Sequence, residues 1–237
     1  MGRMTEAVKH IIILNIILFI APQLMLNLNL QNLFALYFPE NEKFGFWQFL
    51  THMFMHGGFS HILFNMYGLW AFGTPLEQMW GRNKFIFFYL SAGLGAGAIY
   101  TLVNYYQFNS GIQELISNGA TLPEIMSLLD PTVRYGNETL QKLNEIYWSP
   151  AVGASGAVYG ILVAFGMAFP NAKLALIFFP VPIAAKYFIP VIILGDLFFG
   201  ITKYSVGNVA HFAHIGGALI GFIIAWYWKQ NQFKQWN

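Results

Sequence analysis

Six windows of this 237-residue chain are each about as long as a membrane crossing, and nothing else in the sequence limits its fold as strongly. A hydrocarbon core of ~30 Å takes ~20 helical residues to span. Five windows are plainly apolar: residues 11–28, 85–103, 151–169, roughly 181–201 and 209–228. The sixth, residues 61–80 ("HILFNMYGLWAFGTPLEQMW"), carries His61, Asn65 and Glu77. Polar groups at membrane depth usually face a bundle interior or an aqueous cavity, so its polarity marks this window as a functional candidate. With 57% hydrophobic residues, 9% charged residues and a mean hydropathy of +0.51, the composition is that of an all-α polytopic membrane protein, a six-transmembrane-helix bundle. Arg3 and Lys9 precede the first window as they would in a secretory signal. No A-x-A-type cleavage site follows, so that window is expected to remain as the first helix.

Six spans divide the basic residues unequally. Arg3, Lys9, Arg82, Lys84, Lys173, Lys186, Lys229 and Lys234 fall on one side, and Lys43, Arg134, Lys142 and Lys203 on the other, which favours both termini in the cytoplasm. The formal charge of +2 is spread along these boundaries with no dense patch, so no nucleic-acid partner is expected. Without cysteine there is neither a disulfide nor a thiolate nucleophile. Two long loops lie outside. Residues 29–60 are rich in aromatics, whose rings favour the interface, and are expected to sit partly within the outer leaflet of the lipid bilayer. Residues 104–150 are too long for a structureless connector. There "TLPEIMSLLD" sets Thr121 and Glu124 at capping-box spacing, and "NETLQKLNEIYW" repeats apolar residues at helical intervals. This predicts an outer helical insertion between helices 3 and 4; five acidic against two basic residues give it a net charge of −3. No internal repeat interrupts the chain, which reads as one membrane domain over residues 1–237.

The chemistry begins at Ser155, in "PAVGASGAVYG". Pro150 closes the preceding segment, and Gly153 and Gly156 allow a tight turn into an apolar helix, placing Ser155 near its N-terminus. Unpaired N–H groups and the positive end of the helix dipole stabilise developing negative charge there. Such a serine is either an acyl-transfer nucleophile or an ordinary helix cap beside packing glycines. In the last window His214 has Gly217 and Gly221 at i+3 and i+7, and Gly156 and Gly160 share that four-residue spacing in the serine helix. Small-xxx-small faces let membrane helices approach closely. If these two faces meet, His214 lies beside Ser155 and Tyr159 packs against the imidazole. A serine activated by a histidine is the minimum apparatus for nucleophilic hydrolysis, whereas a lone histidine can simply bond two helices.

His61 and Asn65, at i and i+4, share one helix face, and an imidazole N–H and an amide aimed at the serine would complete an oxyanion hole. His52 and His56 have the same spacing. Zinc would require a third ligand, and the nearest acid after them is Glu77, about four turns into the next span. A structural role for His52 and His56 is therefore preferred, and neither metal nor cofactor is expected.

At this point the chain resembles the rhomboid intramembrane serine proteases over most of its length. "GASG" fits the family's G-x-S-G motif, "HILFN" its H-x-x-x-N element and "AHIGG" its A-H-x-x-G element, in order on the fourth, second and sixth helices. "HMFMH", Tyr159 and Glu77 ahead of "WG" also fall where the family usually has them. The resemblance implies a serine endopeptidase that cuts in or near transmembrane segments of membrane-protein substrates, in a bacterial inner membrane. Ser155 would be the nucleophile and His214 the base, with no third acid; His61, Asn65 and the Ser155 N–H would hold the oxyanion. It implies no oligomeric state. One departure is Gln48, where many members have arginine, and the 104–150 insertion is larger than in the simplest members. Two rivals stand beside this reading: an inactive rhomboid-like protein that binds membrane segments, and a small transporter. Retention of all four polar residues argues against the first, and the scarcity of acids in the spans, only Glu77 and Asp196, argues against the second. The short outer loop Thr202–Asn208, with a glycine and little apolar content, is expected to cap the site.

Overall fold

The computed structural model describes residues 3–176, 179–202 and 210–234 and is mostly helical (75%). Helix α1 (Glu6–Leu24) is followed by a 3-10 turn at Leu26–Leu28 and two short helices, α2 (Leu30–Phe34) and α3 (Gln48–Thr51). Helix α4 (Phe59–Gly68) passes through a π turn at Leu69–Gly73 into α5 (Thr74–Trp80). Then come α6 (Arg82–Ser117), α7 (Leu122–Leu128), α8 (Glu138–Trp148) and α9 (Ser155–Ala168). Strands β1 (Lys173–Leu176) and β2 (Phe179–Ala184) precede α10 (Ala185–Ile201) and α11 (His211–Lys234). Among the described residues α1, α6 and α11 have the length and apolar composition to cross a membrane, and α9 is a shorter apolar helix.

Small residues decide how the centre packs. Helix α9 lies against α11 and α6. A Cβ on Gly160 would come within 2.8 Å of Ala92 Cβ on α6 and 2.9 Å of the Gly217 carbonyl oxygen on α11, so only glycine permits this approach. Around that seam Val8, Leu69, Phe85, Phe88, Tyr89 and Ile161 are fully buried, whereas Ile17, Leu102 and Val191 point outward on faces suited to lipid.

Three expectations need correction. The third window was expected to end at residue 103, but α6 continues to Ser117. At 36 residues it is about 54 Å long, well beyond the ~30 Å hydrocarbon core. Its extension is amphipathic: Asn104, Phe108, Gly111 and Ile112 are buried, and Phe108 and Ile112 join Phe38, Ile125, Leu129, Leu143 and Ile146 in a second apolar cluster. The first third of the 104–150 segment is thus a helix continuing from the bundle. Its later helices, α7 and α8, lie where the capping and periodicity signals place them, and the Glu124 carboxylate accepts from the Thr121 N–H (2.8 Å) and hydroxyl (2.7 Å), which holds its pKa below the usual range. The fifth window begins later than expected, because the strands Lys173–Leu176 and Phe179–Ala184 pair antiparallel ahead of α10, with Lys173 opposite Ala184 and Leu174 opposite Ile183. Two prolines, Pro180 and Pro182, suit an extended strand better than a helix interior. The chain is therefore not purely α-helical. The loop expected to cap the site lies, beyond Thr202, outside the described residues.

Two buried polar side chains tie the peripheral segments down. Glu77 accepts from the Ala7 N–H (2.8 Å) and the Val8 N–H (2.9 Å), supplying acceptors to two of the unpaired donors at the start of α1. Glu77→Ala strands both donors, so thermal unfolding in detergent should show a loss of about 2 to 3 kcal/mol, with Glu77→Gln retaining part of it. Gln48, in place of the resemblance's arginine, is fully buried: its amide donates to the Lys43 carbonyl (2.7 Å) and its oxygen accepts from the Tyr37 N–H (3.1 Å). It therefore braces the loop of residues 29–60 from inside.

Candidate active site

The loop of residues 29–60 is pinned to the approach of the serine helix. Leu36 and Ala151 exchange N–H···O bonds of 2.9 and 2.8 Å, and the Gly153 N–H donates to the His52 carbonyl (2.9 Å). Gly153 has φ +126°, a conformation that favours glycine. A Cβ there would lie 2.7 Å from His61 Nε2 and 3.5 Å from Ser155 Oγ, so the bare face of this glycine admits the imidazole. Ser155 is the first residue of α9, with Ala154 at the N-cap, so the serine itself is not the cap.

Helix α11 supplies the partner. A side chain on Gly217 would collide with the Gly156 carbonyl, and one on Gly221 would come within 2.8 Å of the Gly160 carbonyl oxygen. The four glycines thus meet face to face, and His214 Nε2 lies 2.8 Å from Ser155 Oγ. Tyr159 stacks on the His214 ring at 4.2 Å between centroids and 12° between planes. His61, Asn65, Ser155, Tyr159 and His214 all line one open cavity of about 2050 Å³.

The other singled-out residues fall around this centre. Asn65 is buried, and its amide donates to the His61 carbonyl one turn back (2.9 Å), leaving a second N–H. His56 packs edge-on to His61, 5.0 Å between centroids, and is buried. His52 donates from Nδ1 to the Gln48 carbonyl (2.8 Å), and burial pushes its imidazole down to about 4.

Sequence reasoning missed two members of the site. Asp196 of α10 approaches His214 Nδ1 with both oxygens at 3.3 Å, lies 2.5 Å from His211 Nδ1, and accepts from the Tyr159 hydroxyl. An acid does therefore stand behind the histidine, contrary to the dyad alone that the resemblance implies. The available signals were a carboxylate in an apolar window and the three-residue spacing of His211 and His214. Ligand atoms of Asp196, His211 and His214 lie within 4.8 Å of one another, the spacing of a cation site among the described residues, and hydrogen bonds to Asp196 account for it.

Fold and site together define an integral membrane protein of apolar helices in which a hydrogen-bonded serine and histidine face an open cavity. The Rhomboid domain family matches residues 43–231, and the chain belongs to the rhomboid family. It is 29% identical over 184 residues to "Rhomboid protein 1, mitochondrial" of Saccharomyces cerevisiae, covering 77% of this chain and 42% of that one. To "Rhomboid protease GluP" of Bacillus subtilis it is 29% identical over 201 residues, 83% of this chain and 29% of the relative. To "Presenilin-associated rhomboid-like protein, mitochondrial" of Rattus norvegicus it is 30% identical over 179 residues, 75% and 36%. The chain thus spans less than half the length of each.

Proposed function

We propose that this chain is an intramembrane serine endopeptidase acting on peptide bonds in or near the transmembrane segments of other membrane proteins. The observation that carries the reading is the 2.8 Å contact between Ser155 Oγ and His214 Nε2 at the head of α9, open to the cavity. Ser155 Oγ attacks the scissile carbonyl carbon while His214 Nε2 takes its proton. The oxyanion is received by the Ser155 backbone N–H, the His61 ring N–H and the free Asn65 amide N–H. The C–N bond then breaks as His214 returns the proton to the leaving amine, and water releases the acyl group by the reverse sequence. With 14 residues, α9 is about 21 Å long, so a serine at its head can stand below the surface of a ~30 Å core. The cavity brings water to that depth, where irregular backbone is tolerated.

In this reading the chain is one six-span domain in an inner membrane of bacterial or mitochondrial kind, with both termini on the side that retains most Lys and Arg. A fluorophosphonate should label wild-type protein in detergent and fail to label Ser155→Ala. Absence of wild-type labelling would leave the inactive membrane-segment binder as the better reading. Asn65→Ala tests the oxyanion arm separately. Losing a donor that acts on the transition state lowers kcat by about 10² to 10³, whereas a helix-bridging bond in a membrane protein is worth only about 0.6 kcal/mol. Asn65→Ala is expected to keep substrate binding and most of its thermal stability while kcat falls at least about tenfold. A variant with full kcat and lowered stability would assign Asn65 a structural role.

A further inference from the structure

Asp196 is a buried carboxylate whose bonding determines more than helix contact. It faces three polar groups on two helices: His211 Nδ1 (2.5 Å), His214 Nδ1 (3.3 Å from both oxygens) and the Tyr159 hydroxyl. An ionised carboxylate only accepts. The proton of neutral His214 is then on Nδ1, and Nε2, the atom 2.8 Å from Ser155 Oγ, carries a lone pair. The same carboxylate holds the hydroxyl of the ring stacked on the imidazole, so the edge and the face of His214 are fixed together.

We propose that Asp196 is a positioning residue for His214, keeping it in the Nδ1–H tautomer and stabilising the imidazolium formed when it takes the Ser155 proton. This rests on the reading of Ser155 and His214 as nucleophile and base. The competing role is an inter-helix tie, because the shorter contact of Asp196 is to His211, which joins α10 to α11. The two roles differ in charge. A tie needs only Asp196 and His211, whereas a positioning carboxylate also sets how readily His214 takes a proton. Among the described residues the groups around His214 are Ser155 and Tyr159 of α9, His61 of α4, Asp196 of α10, His211 of α11 and, on the cavity wall, Tyr100 of α6. Asp196 is the one acid among these, so its removal takes the counter-charge away from the imidazolium formed when His214 receives the Ser155 proton.

The test follows fluorophosphonate labelling of Ser155 and kcat/KM for a test transmembrane substrate against pH, using the full chain in detergent. Asp196→Asn is expected to slow labelling and lower kcat/KM at least about tenfold, with the acidic limb of both profiles moved to lower pH. Asp196→Glu, which keeps the charge, should recover part of the rate and the wild-type limb. His211→Gln should lower the unfolding temperature and leave the limb in place. A wild-type rate and limb in Asp196→Asn, or a His211→Gln variant that reproduces both changes, overturns the positioning role. If Asp196→Asn does not fold, ¹⁵N spectra of histidine-labelled wild-type protein decide, with the His214 signal identified by its loss in His214→Gln. Nδ1–H is the expected tautomer at neutral pH, and Nε2–H overturns the proposal. Wild-type protein labelled no more than Ser155→Ala removes the nucleophile reading itself, an outcome distinct from a labelled wild type with an indifferent Asp196→Asn.

Discussion

Ser155→Ala and His214→Ala are each expected to abolish cleavage of a transmembrane substrate, and the double variant is expected to be no worse than either single one. The two side chains share one hydrogen bond of 2.8 Å and, in the proposed mechanism, one proton. Without the hydroxyl the imidazole has nothing to deprotonate; without the imidazole the hydroxyl is a weak nucleophile at neutral pH. Residues that act as such a unit lose their contribution together, and in soluble serine proteases the loss reaches about 10⁶ in kcat. Turnover in detergent, with substrate binding measured separately, checks this. Near-wild-type turnover by Ser155→Ala would remove the protease reading. Additive losses in the double variant would show that serine and histidine serve separate purposes.

Gly217→Leu is expected to have the next largest effect, and it acts on the distance between the two residues. A Cβ at this position meets the Gly156 carbonyl, which is helix backbone one residue after the serine and cannot rotate away as a side chain would. Helices α9 and α11 must separate, carrying His214 away from Ser155. Overpacking typically costs about 1 to 3 kcal/mol, and a backbone obstacle puts this substitution at the upper end. A lowered unfolding temperature should accompany loss of cleavage and of fluorophosphonate labelling, because a misplacement of about 1 Å can cost 10²-fold. Gly136→Ala is the control: a Cβ there meets nothing within 4 Å, so stability and activity should hold. Unchanged labelling in Gly217→Leu would mean that the helices tolerate the added volume without disturbing the pair.

Much of the site was legible because its signals are local. Gly153 before Ser155, and glycines four apart on two apolar segments, describe the turn and the close face without reference to the rest of the chain. Gln48 was legible only as a departure from a pattern; its burial and its bonds to Lys43 and Tyr37 depend on how residues 29–60 fold back on themselves. The end of α6 was misplaced for a related reason. Apolar content falls after residue 103, which reads as the end of a span, but a helix continues wherever its apolar stripe finds a partner, and Phe108 and Ile112 find one in Leu143 and Ile146 of α8.

The sequence by itself determined that the chain is a membrane protein, where its apolar segments lie and which serine and histidine can be paired, because hydropathy, turn glycines and helical spacing are properties of neighbouring residues. The placement of Asp196 behind His214 was decided by tertiary structure alone. That contact joins residues 18 apart across two helices, and its formation depends on the angle at which α10 packs against α11. No periodicity within either segment encodes that angle; it is set by the combined packing of α9, α10 and α11, with the glycine seam holding α9 and α11 at contact distance.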